Sequence, residues 1–134
     1  KCPKTINLYG NSIKFQQIIT NLLGNAIDAY ETITPNLRKP IVIEVREDEE
    51  TIIINFIDRA VGIAKNHQEQ VFEPFYTTKN ADKGTGIGLS ITKDIVENEF
   101  MGKIHFTSKI NFGTTFTISI PRRQKIDNSP TTDN

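Results

Sequence analysis

The sequence predicts an α+β fold, a two-layer sandwich whose mixed, mostly antiparallel sheet of about five strands carries about three helices on one face. Three observations lead there. Residues 12–30 hold a helical apolar recurrence, later stretches alternate apolar and polar residues as strands do, and those strands come in hairpin pairs. At 134 residues the chain is long enough to bury a core as one domain. That domain is read over residues 1–121, and a polar tail with no apolar face, read as disordered, over 122–134.

The helix comes first because it is the most regular. Phe15, Ile18, Ile19, Leu22, Leu23, Ala26, Ile27 and Tyr30 repeat at i, i+3 and i+4, and Ser12 stands where an N-cap is wanted. Beside the apolar stripe runs a polar one of Gln17, Asn21, Asn25 and Asp28. A solvated flank more often carries Lys and Glu. Amides and a carboxylate on the shoulder of a core helix are costly to bury without partners, so the stripe points to a polar ligand or a metal.

Residues 5–9 alternate Ile6 and Leu8 with polar neighbours and read as a short strand. The breakers Pro35 and Pro40 follow the helix, and residues 41–45 and 51–57 form a strand pair around the acidic turn Glu47-Asp48-Glu49-Glu50. A short helix is expected over 66–72. Residues 73–86 form a loop too long for a plain connector. A helix then begins among glycines near Ile87 and is broken by Gly102, and strands over 103–108 and 114–120 close the domain through a turn at 111–113.

Composition narrows the function classes. Apolar residues make up 37% and charged residues 24%, as in a globular protein. Sixteen basic and sixteen acidic residues cancel, so no global field recommends a nucleic acid or a membrane. Cys2 is the sole cysteine, which excludes an internal disulfide and a cysteine metal cluster and suits a reducing, cytoplasmic setting. No apolar run reaches the length of a membrane span. The chain opens Lys-Cys-Pro, which suggests a piece of a longer protein, whose parent could be membrane-bound.

Four stretches carry chemistry. Gly84-Thr85-Gly86-Ile87-Gly88-Leu89 bares backbone amides and leads into a helix N-terminus, the natural seat of a phosphate. It has neither the Rossmann glycine spacing nor the P-loop ending. Asp58 ends a strand, and Gly62 follows, free to take positive φ, so a ligand lodged against the turn could donate to the carboxylate. In residues 72–79, Phe72 and Phe75 can anchor a loop while Tyr76 and Lys79 reach toward a ligand, Lys79 as a point charge for phosphate. Gly113-Thr114-Thr115 opens the last strand.

Together these stretches resemble the ATP-binding catalytic domain of bacterial two-component sensor histidine kinases, in the superfamily shared with gyrase, Hsp90 and MutL. Asn21-Leu22-Leu23-Gly24-Asn25-Ala26-Ile27-Asp28-Ala29 is similar to its N box, 58–63 to the first glycine box, 72–79 to the F box, 84–89 to the second glycine box and 113–115 to the terminal glycine-threonine motif. The resemblance implies the Bergerat ATP-binding fold with ATP and Mg²⁺ as cofactors. It implies that Asn25 ligates Mg²⁺, that Asn21 faces the phosphates or metal waters, and that Asp28 lines the same pocket. Asp58 would accept from the adenine amine, Gly62 and Ile63 would shape the adenine slot, and Thr115 would close it. Tyr76, Thr78 and Lys79 would lie on the lid, while Gly84, Thr85, Gly86, Ile87, Gly88 and Leu89 would cradle the phosphates. Asn21, Asn25 and Lys79 are the residues implied for catalysis.

The pattern departs from the family at Arg59 and Ala60, which stand where it usually has Asn and Gly, and at Met101, where a glycine pair is common. A methyl crowding the base at Ala60 would weaken nucleotide binding by about 1 kcal/mol. The implied function is transfer of the ATP γ-phosphoryl to a histidine on a separate dimerisation domain of the same parent, and from there to a response regulator. His67 and His105 lie outside any helical acceptor motif, so the acceptor is expected elsewhere, with the isolated domain monomeric and the parent a homodimer. Two alternatives stay open, a degenerate nucleotide-binding regulator without transfer and a serine kinase or ATPase module of the same superfamily. An ATPase of the gyrase kind would carry Glu at position 21.

Overall fold

The computed structural model describes residues 6–30, 40–74 and 88–122. Helix α1 spans Ser12–Tyr30, strands β1 and β2 span Ile41–Glu47 and Thr51–Asp58, and a 3-10 helix covers Lys65–Gln70. Helix α2 spans Gly88–Asp94 and runs on into a π-helical turn, Ile95–Glu99, before β3 (Lys103–Lys109) and β4 (Gly113–Pro121). The four strands form one sheet in the order β1-β2-β4-β3, and all three pairings are antiparallel.

The fold class is the one expected, with a different strand count. Residues 6–9 form no strand, so the sheet has four strands among the described residues. Ile6 and Leu8 do pack against the core. Their alternation reports burial on one side, which a chain can achieve without a ladder partner. The helix over 66–72 is a 3-10 helix that starts and ends earlier, and most of the expected tail lies outside the described residues.

Alternation along β2 and β4 decides where the core sits. Ile52, Ile54 and Phe56 of β2 and Phe116, Ile118 and Ile120 of β4 are buried on one face, and register pairs Phe56 with Phe116 and Ile54 with Ile118. Ile18 and Leu22 of α1, Ile95 and Val96 of the π turn, and Phe100 close that face. Each such side chain contributes about 1.5–3 kcal/mol by leaving water. Phe72 joins them edge-on, its ring 5.8 Å from Phe106 and 6.3 Å from Phe116. Ile27, read from its spacing as core, is 54% exposed. It sits at the rim of the apolar stripe, beyond the reach of the sheet.

The N-cap of α1 is Asn11. Its Oδ1 accepts from the amides of Ile13 and Lys14 at 2.9 and 3.1 Å, which satisfies two donors of the first turn and makes Ser12 the first helical residue. The acidic turn between β1 and β2 is a local device too. Asp48 Oδ1 accepts from the amides of Glu50 and Thr51, and those bonds hold its carboxyl below its ordinary pKa. Arg122 lies alongside, donating through Nη1 to the Asp48 carbonyl and through its amide to that of Glu50.

Candidate functional site

The site begins where β2 ends. Alternation carries Asp58 to the helix-covered face, buried behind Phe56. Its Oδ1 accepts from the amides of Ala60 at 3.0 Å and Thr114 at 3.2 Å. Burial pushes its pKa up, and the two amide bonds pull only partly the other way. Both amides reach the same oxygen, so Oδ2 can take a donor from a ligand.

The loop after Asp58 is fixed from three sides. Tyr30, buried at the end of α1, donates its hydroxyl to the Pro40 carbonyl and accepts from the Arg59 amide at 2.7 Å. Gly62 has φ of 75°, and a Cβ there would stand 2.2 Å from the Lys109 carbonyl oxygen, so both conformation and space demand glycine. Ile63 donates its amide to Ser108 Oγ at 2.7 Å, and that hydroxyl lies 2.7 Å from Thr114 Oγ1. A short chain of hydroxyls therefore joins the loop to the strand that holds Asp58. Ala60 is 2% exposed and its backbone is outside the left-handed region, so alanine stands there without strain.

The polar shoulder of α1 is engaged with α2. Asn21 Nδ2 donates to the Gly88 carbonyl at 3.2 Å and to Thr92 Oγ1 at 3.0 Å, while Thr92 Oγ1 donates to the same carbonyl at 2.7 Å. A carbonyl can only accept, so the amide orientation is set by chemistry. Asn25 and Asp28 are half-buried farther along the same flank, and both make interactions there. Gly88 and Leu89 open α2, and Leu89 also packs against the core.

Among the anticipated residues, the structure thus joins Asn21 to Gly88 and ties Asp58 and Ile63 into one hydrogen-bonded corner, with Gly62 packed on Lys109 between them. Tyr76, Thr78, Lys79, Gly84, Thr85, Gly86 and Ile87 lie outside the described residues. Thr115 is on the other face of the sheet, paired with Ile57 and Thr107. Its neighbour Thr114, opposite Asp58 in the register, is the threonine that meets the carboxylate. Sequence reasoning missed Thr92, Ser108 and the hydroxyl of Tyr30. A hydroxyl four residues after a helix-opening glycine was a usable signal for Thr92, since that spacing returns it to the first turn's carbonyl.

Residues 10–124 match the family described as histidine kinase-, DNA gyrase B- and HSP90-like ATPase. The chain belongs to this ATPase family. It is similar to Sporulation kinase B of Bacillus subtilis, 36% identical over 114 residues that make up 85% of this chain and 25% of that protein. Sporulation kinase A of the same organism is 34% identical over 89% of this chain and 18% of its own length. BarA of Escherichia coli, a signal transduction histidine-protein kinase, is 38% identical over 85% of this chain and 13% of its length. The chain therefore spans a quarter or less of these relatives. Among solved structures, a nucleotide-free catalytic domain of histidine kinase ThkA aligns with a TM-score of 0.71 at 30% identity, covering 86% of this chain and 71% of that one. No described helix is long and apolar enough to cross a membrane.

Among the described residues no three His, Cys, Asp or Glu side chains converge on a metal position. An all-protein cage is therefore not what these residues offer. The donor set suits Mg²⁺, which keeps waters and substrate phosphates and takes few protein oxygens.

Proposed function

We propose that this ATPase-family domain binds Mg-ATP and donates the γ-phosphoryl to a histidine on a separate dimerisation domain of its parent sensor kinase. The phosphoryl group would then pass to a response regulator. The observation that carries the reading is Asp58, a buried carboxylate at the closed end of β2 with one oxygen left for an amine donor. Adenine presents such an amine, which guanine lacks at that position. Thr114 supports the carboxylate, and Gly62 and Ile63 shape the slot beside it.

Asn25 would hold Mg²⁺ through its amide oxygen, and the bound ion would neutralise charge on the phosphates. Asn21 positions rather than attacks. Its amide fixes the first turn of α2, so the amides of Gly88 and Leu89 stand ready for phosphate oxygens. Asp28 lines the same flank. Thr85, Gly84, Gly86 and Ile87 would continue the phosphate cradle, while Tyr76, Thr78 and Lys79 would close over it. Because residue 21 is an amide, no carboxylate base stands there to activate water, which favours a partner's imidazole as nucleophile. His105 is exposed on the opposite face of the sheet, away from the helices.

The test mixes this chain with a dimerisation domain carrying the acceptor histidine, plus γ-labelled ATP. Label on the histidine is expected, and its absence under every pairing overturns the proposal. Calorimetry separates the degenerate regulator, for which heat would be undetectable at millimolar Mg-ATP.

A further inference from the structure

The face of the sheet turned away from the helices carries a pattern that nucleotide binding does not use. Alternation places Val42, Glu44 and Arg46 of β1, Ile53, Asn55 and Ile57 of β2, Thr115, Thr117 and Ser119 of β4, and Lys103, His105, Thr107 and Lys109 of β3 on it. No described element packs over this face. The charges there are one-sided. Arg46, Lys103 and Lys109 face a single anion, Glu44, in a chain whose formal net charge is zero.

At one end the face deepens into a cavity of about 300 Å³ between Ile57, Thr115, Thr107 and the β3–β4 turn. Arg59, Lys109 and Phe112 line it as well, and Asp58 borders it from the helix-covered face. Phe112 is 67% exposed, and the Lys109 ammonium stands 4.8 Å from its ring centroid. The turn is braced from below, since Asn111 donates its amide to the Val61 carbonyl and Phe112 its own to Lys109. An exposed aromatic on a braced turn, beside two cations and over a half-buried isoleucine, is a recognition feature and an unfavourable one to leave in water.

We propose that this face docks an acidic polypeptide segment, one apolar or aromatic side chain of which enters the cavity between Ile57 and Phe112. Lys103 and Lys109 stand six positions apart on β3, roughly 20 Å along the strand. An extended acidic segment of similar length would meet Arg59 and Lys109 at the cavity end and Lys103 at the other. The cavity holds one side chain, so the occupant is a segment and not a folded surface. A phosphate backbone alone carries no side chain to enter the cavity, which Ile57 and Phe112 line together with Asp58 and the hydroxyl residues Thr107, Ser108, Thr114 and Thr115.

The experiment titrates the chain into a fluorescein-labelled peptide of glutamates flanking a central phenylalanine and follows anisotropy. Saturable binding that weakens with salt is expected, reduced about tenfold by Lys109→Glu and by Phe112→Ser. Both side chains are exposed, and amide spectra of each variant with the labelled chain report that the fold is kept. The same spectra of the unaltered chain should shift at Thr107, Phe112 and Thr115 when the peptide is added. Binding that survives both substitutions, or a peptide with serine for phenylalanine binding equally well, overturns the proposal. So does equal competition by single-stranded DNA, or sedimentation showing that a second copy of the chain covers the face.

Discussion

Asn21 and Thr92, on different helices, share a hydrogen bond of 3.0 Å, and both side chains donate to the Gly88 carbonyl. The consequence is that α1 holds the first turn of α2. Thr92 is fully buried, so replacing it by valine keeps the volume and removes the hydroxyl. Asn21 then loses an acceptor in a half-buried setting. Thr92→Val should lower stability by about 1–2 kcal/mol, read as a lower urea midpoint at constant slope. Mg-ATP affinity should fall with it if the amides of Gly88 and Leu89 hold phosphates. An unchanged midpoint would show that the triangle contributes nothing.

Tyr30 makes a comparable link at the other end of α1. Its hydroxyl joins the Pro40 carbonyl to the Arg59 amide, tying the start of β1 to the turn after Asp58. Tyr30→Phe keeps the ring, which is 3% exposed, and removes the partner of a part-buried donor and acceptor. The expected loss is about 1–3 kcal/mol by chemical denaturation. Faster hydrogen exchange at the Arg59 and Ala60 amides should accompany it, and exchange unchanged at both would disprove the link.

Met101 has φ of 57°, a left-handed conformation that costs a side chain free energy. It follows the π-helical turn, and Gly102 donates its amide back to the Val96 carbonyl at 2.8 Å, closing the helix end. The Met101 side chain is 51% exposed, so little packing opposes its removal. Met101→Gly should therefore raise stability by about 0.5–1 kcal/mol. A lower melting temperature would mean that its contacts outweigh the strain.

Much of this arrangement was legible in the sequence, for physical reasons that also mark where legibility stopped. The β-branched run 51–57 marked a strand ending at Asp58. Ile53 and Ile57 are apolar on the other face, so it took the structure to show which side is buried and where Asp58 lies. Thr114 and Thr115 could not be told apart that way. Choosing between them needs the register that sets Asp58 opposite Thr114, and register depends on the whole sheet. Asn11 and Ser12 are both good caps, and the decision falls to the backbone at Gly10 and Asn11. Tyr30 read as apolar because its spacing records the ring and says nothing of where the hydroxyl lands. Asn21 was read as facing the phosphates or metal waters; that its amide also bonds α2 was not legible, because the contact joins segments 67 residues apart.

Asp58→Asn tests the adenine assignment. Asparagine keeps an oxygen for the amides of Ala60 and Thr114, which turns its NH2 donor toward the adenine amine in place of a carboxylate oxygen. ATP affinity should drop at least about tenfold, the loss expected for a hydrogen bond to a charged partner. The fold should melt normally at neutral pH. Unchanged affinity by calorimetry would refute the role.

The same residue makes a pH prediction that needs no nucleotide. Burial raises the pKa of Asp58 in the folded chain above its ordinary value of 3.8. Between those two values the folded state holds a proton that the unfolded state has released, so stability from this group falls as pH rises. Its contribution is complete below 3.8 and is lost as pH passes through the folded value. Asp58→Asn removes that titration. Urea denaturation from acid to neutral pH should find the variant gaining on the parent chain as pH rises, with the gap flat once Asp58 is fully ionised. Parallel profiles for the two proteins across the whole range would show that the buried carboxyl titrates as it does in water.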